Sequence, residues 1–360
     1  MAALTWNQLL SDGQRQWLMV STGLQHTVLP KPEMISRSLE TSPGKNPVSV
    51  ESVHNRVISQ RFNCFKPDTE AITEAPVNQV YSWTDASGNR HFSDQPATGY
   101  RNQDLSQQYS RETQYFNLQV MSPDGEVMPL LKEQLNRDVM AIYRYLTGQL
   151  GLDHLRKVTV NLKVFNQPRN YTAYQKVHAP NLLGSAGFYS AIDNEAVVLL
   201  HRDPEITRRI ARHEATHVIM AGLYGMTPIW LNEGLAEAFA DYQNTALSRQ
   251  FDWQQDRLSL LRNMLNSDTL LPLGILLELD PRRWQRSDPR VVYPTAWALV
   301  RFMLDNHHAK KVLLAILRQL ANEPCSAIVA KNYIKNYYPD GLIGFEQEWQ
   351  VWLRQHLAKR

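Results

Sequence analysis

The spacing of apolar and polar positions divides the chain into regions of different period. Leu131, Leu135, Val139, Ile142, Leu146 and Leu150 recur every three to four residues, and Gly148 and Gly151 act as stop signals, so a helix is predicted there. The period then changes. Val158, Val160, Leu162 and Val164 alternate with Thr159, Asn161 and Lys163, the pattern of a half-buried strand. Residues 185–200 read as two strands around the turn Asp193–Asn194. Beyond 204 the period is helical, with segments expected near 205–223, 230–244, 247–265, 290–305, 308–321, 326–337 and 342–358. A helix, a few strands and then many helices predict an α+β domain over residues 121–360.

Two regions precede it. In 79–99, Val80, Ser82 and Thr84 alternate with Tyr81 and Trp83, Asp85 to Asn89 supplies turn residues, and Arg90 to Ser93 returns as a second short strand. That is a hairpin pattern, and it places a small β module at 79–120. Residues 1–78 have little period: a few apolar residues near 5–24 suit a helix, and 29–50, rich in Pro, Ser and Thr, reads as linker.

Composition narrows the function classes. A chain of 360 residues, 43% of them apolar, can bury a sizeable core and carry an appendage. A net charge of +3 with 20% charged residues gives no reason to expect a nucleic-acid surface. No run of about 18 apolar residues is present, so no membrane-spanning helix is expected. The first twenty residues lack a basic segment followed by a continuous apolar one, so no secretory signal is predicted and the chain reads as soluble. Cys64 and Cys325 suit either one disulfide or two buried thiols.

The chemistry concentrates in RRIARHEATHVIMAGLYGMTPIWLNEGLAEAFADY, residues 208–242. His213 and His217 are four apart and share one helix face, a spacing at which two imidazoles can hold one zinc ion. Glu214 can lean over the ion without binding it and take a proton from water there. A catalytic zinc needs a third protein ligand and one open position. Gly225, Thr227 and Pro228 break the first helix, and a second begins at Trp230, so a helical hairpin can return Glu233 beside the histidines. Glu237 lies one turn further and can accept from the far nitrogen of a ligand histidine. Asp241 continues the same line. The surrounding Ile210, Ala211, Ala215, Val218, Ile219 and Ala221 make this a buried helix, in which such groups without a metal would leave charge uncompensated. His91, His178, His201, His307 and His308 are read as structural, and Trp349 and Trp352 as core.

The segment resembles the gluzincin metallopeptidases, the group of thermolysin and the aminopeptidase N family. Trp230 to Ala236 is similar to the aminopeptidase segment carrying the third zinc ligand. The resemblance implies His213, His217 and Glu233 as ligands of one zinc ion and Glu214 as general base. It implies an Asp where this chain has Glu237. Fifteen residues separate His217 from Glu233, fewer than in either family, so a compact relative is expected. Metzincins are excluded because Leu223 stands where their third histidine falls. The resemblance also implies Tyr293 as an oxyanion donor, and the strand holding Gly187, Phe188 and Tyr189 as a substrate-binding edge. The aminopeptidase Gly-x-Met-Glu-Asn motif is absent, which favours an endopeptidase acting on peptide or protein substrates.

The hairpin resembles a small bacterial domain of unknown function written Tyr-x-Trp-x-Asp-x-x-Gly-x-x-His. Tyr81, Trp83, Asp85, Gly88, His91, Phe92, Ser93, Asp94 and Pro96 match it. That implies a periplasmic or cell-envelope setting, with a cytoplasmic one as the alternative given the missing signal. The competing function is a non-catalytic or self-inhibited peptidase-like protein that binds peptides or envelope polymer. Oligomeric state is not readable from the sequence.

Overall fold

The computed structural model describes residues 80–85, 87–93, 95–105, 115–150, 156–244, 249–324 and 326–358. Cys64, Cys325, Asp94, Gly151 and the linker expected at 29–50 lie outside the described residues. The architecture is α+β, as the spacing predicts.

The hairpin strands β1 (Tyr81–Thr84) and β2 (Arg90–Ser93) pair antiparallel, with Trp83 opposite His91. A two-residue strand, β3 (Gln103–Asp104), adds to the other side of β1. Gly88 takes a positive φ of 85° in the turn, where Asp85 Oδ1 accepts from the amides of Ser87 and Asn89.

The main sheet has four strands in the order β4 (Phe116–Met121), β5 (Val158–Phe165), β7 (Glu195–Leu199), β6 (Gly187–Ser190). The first three run parallel and β6 closes one edge antiparallel to β7. Residues 116–120, placed with the hairpin module by the spacing, thus pair with β5 in the first strand of this sheet. Helix α1 (Pro129–Arg144) ends in a π-type turn over Tyr145–Gln149. The sequence pattern gave no helix between β5 and β6, yet α2 (Pro168–His178) forms there, opening on a proline. Proline suits the first turn because no partner exists for its missing N–H. Pro204, Pro281 and Pro289 open three further helices in the same way.

Helix α3 (Pro204–Tyr224) lies against the sheet, capped by Asp203, whose side chain accepts from the Glu205 amide. Its small residues allow the approach: a Cβ on Gly222 would stand 2.8 Å from Val158 Cγ2. Gly225 stops the helix at φ 67°. Helix α4 (Ile229–Ala240) returns along α3, and α8 (Pro289–Asp305) packs on its far side. Trp230, Leu231, Leu235 and Phe239 are fully buried there. Each such side chain contributes roughly 1.5–3 kcal/mol, so the α3–α4 hairpin is anchored independently of anything it binds.

The expected helices at 230–244 and 247–265 are shorter than their spacing suggests. α4 ends at Ala240, and β8 (Tyr242–Asn244) pairs with β9 (Arg249–Phe251) before α5 (Gln255–Asn266) begins. Two causes act together. Asp241 turns its carboxylate to Arg209 and Arg257. Tyr145, Phe239, Tyr242 and Phe251 gather into one aromatic cluster, with Tyr145 edge-on to the other three, which suits an extended backbone. Short helices α6 (Leu273–Leu276) and α7 (Pro281–Arg286) precede α8. Helices α9 (His307–Asn322), α10 (Ala330–Tyr337) and α11 (Gly341–Ala358) complete the core, with Trp349 fully buried in it.

Candidate metal centre

Antiparallel packing of α3 on α4 sets the site. His217 faces Glu233 near the turn, His213 faces Glu237 one turn on, and Arg209 faces Asp241 beyond that. His213 Nε2 and His217 Nε2 are 3.2 Å apart. Glu233 Oε2 stands 3.7 Å from each of them. Three donor atoms therefore form a nearly equilateral triangle. A tetrahedral zinc with bonds of about 2.0–2.2 Å spaces its donors about 3.3–3.6 Å apart, so the triangle is the right size. An oxygen of Glu214 also converges, lying within 4.8 Å of a nitrogen of each histidine.

The titratable groups of the triangle perturb one another strongly. Burial disfavours the charged form of His213, but Glu233, Glu214 and Glu237 outweigh it and hold the imidazole up to about 9. Of these carboxylates, Glu237 is paired with Arg257 through its other oxygen. His217 has the opposite bias: burial pushes it below the ordinary histidine range, leaving the neutral ring that a metal ligand requires. Glu233 is pulled below the usual carboxylate range by His217 and His213 in spite of its burial. Glu214 is pushed up to about 7 by burial, with Glu233 and Glu237 adding to the effect and His213 opposing it.

The ring nitrogens away from the triangle face polar side chains. His213 Nδ1 lies 3.6 Å from Glu237 Oε1. His217 Nδ1 is buried without a partner in hydrogen-bond geometry, and the Asn232 side chain bears on the ring and favours its protonated form. Asp241, grouped with Glu237 on the sequence pattern, binds Arg209 and Arg257.

Tyr293 is the fifth residue of α8, its ring edge-on to Trp284 at 5.3 Å. Burial, with Glu233 next, raises its hydroxyl well above the ordinary tyrosine range, so it remains a donor at any working pH. Edge strand β6 runs beside α3. A Cβ on Gly187 would collide with Ile210 Cγ2 and stand 3.0 Å from Glu214 Oε1. The bareness of Gly187 thus makes room for the helix and for Glu214. Phe188 points to the other face of the sheet, buried with Phe165, Tyr171 and Val197. Tyr189 returns to the site face, its ring 5.9 Å from that of His217. Of the three, Tyr189 offers a side chain to the site, and all three offer backbone. The segment entering β6 is fixed by Tyr171, whose hydroxyl donates to the Ser185 carbonyl at 2.9 Å, and by Gln175, which donates to the Leu182 carbonyl at 2.7 Å.

The sequence reading missed Arg257 and Arg209. Their signal was present: Arg257 falls on the apolar face of α5 beside Leu258 and Leu261, where a cation needs buried anions. Asn232 was also missed, although it directly precedes Glu233.

Residues 78–115 match the family described as Domain of unknown function (DUF4124). The match spans the hairpin and stops before β4, so it does not reach His213 or His217. No curated protein matches the chain. Among the described residues, no helix is long and apolar enough to cross a membrane.

Proposed function

We propose that the chain is a zinc-dependent peptidase of the gluzincin kind, an endopeptidase, with zinc held by His213, His217 and Glu233. The observation that carries this reading is the largely buried triangle of Nε2, Nε2 and Oε2 atoms, with sides of 3.2, 3.7 and 3.7 Å, beside a second acid, Glu214. A structural zinc site closes with a fourth protein ligand and has no use for a base. Zinc bound there supplies a Lewis acid that polarises a carbonyl and makes water nucleophilic near neutral pH.

The rest is done by side chains of this protein. A Glu214 oxygen takes the proton of the attacking water and later delivers it to the leaving amine, a role suited to a carboxyl that burial raises above the ordinary glutamate range. Tyr293 Oη donates to the oxyanion that develops on the scissile carbonyl. Strand β6, at the sheet edge among the described residues, aligns an extended substrate by main-chain hydrogen bonds, with Tyr189 beside the reacting bond. The hairpin match supports an envelope setting, where envelope proteins or peptides would be the substrates.

The test is digestion of a mixed peptide library by the zinc-loaded full chain, read by mass spectrometry, with Glu214→Ala as the blank. Cleavage by the wild type alone supports the reading and defines its specificity. Equal fragments in both samples, or none in either, would remove the peptidase activity and return the chain to a binding role.

A further inference from the structure

Behind His213 lies a buried group of charges that the chemistry above does not use. The Arg257 side chain, on α5, is 1% exposed, as is that of Glu237. Its Nη2 donates to Glu237 Oε2 and its Nη1 to Asp241 Oδ2. Arg209 Nη2 donates to Asp241 Oδ1 at 2.9 Å. Two acids and two guanidiniums thus balance, drawn from α3, α4 and α5. The Arg257 guanidinium also lies 4.8 Å over the Trp297 ring of α8, which restrains its plane.

One oxygen is left over. Glu237 Oε1 has no hydrogen-bond partner among the described residues and faces His213 Nδ1 at 3.6 Å. A glutamate is one methylene longer than an aspartate, so it has one more torsion with which to wander from a histidine. The Arg257 fork takes up that freedom by gripping the other oxygen.

We propose that Arg257 is a positioning residue for His213: it clamps Glu237 and Asp241 together so that Glu237 Oε1 orients the imidazole toward the metal. This rests on the zinc reading of the site. Lysine cannot replace the fork, because a single ammonium does not span two carboxylates with fixed geometry. Outer partners of ligand histidines typically change metal affinity by about 10–100-fold.

The experiment measures zinc dissociation constants of the full chain by competition with a chromophoric chelator. Circular dichroism and thermal melting follow folding in the same samples. Arg257→Lys and Glu237→Gln are each expected to weaken zinc by about 10–100-fold. The double variant should be no weaker than Glu237→Gln alone, because both changes break one link. Asp241→Asn removes an anchor of the fork without touching His213, and is expected to weaken zinc by the same route, by less than Glu237→Gln does. A merely structural Arg257 would lower the melting temperature and leave zinc affinity unmoved; that result, or effects that multiply in the double variant, overturns the proposal. Should Arg257→Lys fail to fold, Asp241→Asn decides it. A wild type that binds no zinc defeats the metal reading and this inference together, whereas tight wild-type binding with unmoved variants defeats this inference alone.

Discussion

Gly187 shows how much one absent side chain decides at this site. Its hydrogen occupies the point where a Cβ would strike Ile210 and crowd Glu214 at 3.0 Å. Gly187→Ala is expected to cost about 1–3 kcal/mol of stability, and to slow hydrolysis on the order of tenfold to a hundredfold by displacing the base. Zinc affinity should change little, since the ligands are not touched. Melting curves and steady-state rates on one peptide would check all three. Tyr293 is tested more simply. Phenylalanine keeps the packing on Trp284 and removes only the hydroxyl. Tyr293→Phe should lower kcat about 100-fold with KM nearly unchanged. A fall confined to KM would assign the tyrosine to substrate binding instead.

At the scale of elements, the site is a consequence of how closely α4 can lie between α3 and α8. A Cβ on Gly234 would stand 2.7 Å from the Ala296 carbonyl oxygen, which is backbone and cannot move aside. Gly234→Ala should therefore push α4 from α8, destabilise by about 1–3 kcal/mol, and shift neighbouring Glu233 enough to weaken zinc. A variant with wild-type zinc affinity and melting temperature would show that the packing is looser than this. The α3–α4 hairpin was legible in the sequence because His213 and His217, and Glu233 and Glu237, each stand four apart in two apolar helical segments broken by Gly225 and Pro228. The β8–β9 hairpin was not, because Tyr242 and Phe251 fit a helical stripe as well as a strand, and only their clustering with Tyr145 and Phe239 decides the matter. α2 was hidden for a similar reason: of its residues only Tyr171 and Gln175 are buried, too few to mark a period.

For the whole molecule, the sheet and α3 act as a platform on which the site is held at one edge. Strand β4 escaped the sequence reading because its register with β5 is a long-range pairing that local spacing cannot report. Asp124, in the loop after β4, ties the platform together by accepting from the amides of Asn166 at 2.8 Å and Gln167 at 2.9 Å and from Asn170 Nδ2 at 3.1 Å. Partial burial works against its charge, but these donors hold the carboxyl below the usual carboxylate range. A carboxyl depressed on folding contributes stability fully above its unfolded value of about 3.9 and loses it as the pH falls through the lower folded value. Asp124→Ala should thus cost about 1–3 kcal/mol at neutral pH. The gap from wild type should narrow below about pH 4, as denaturant melts across pH would show. The central claim, that this platform carries a hydrolytic zinc site with Glu214 as its base and not its ligand, is met most directly by native mass spectrometry and peptide hydrolysis on the same samples of wild type and Glu214→Gln. Both proteins should retain one zinc ion, and the wild type alone should hydrolyse the peptide. Zinc lost along with Glu214, or hydrolysis surviving without it, would contradict the account.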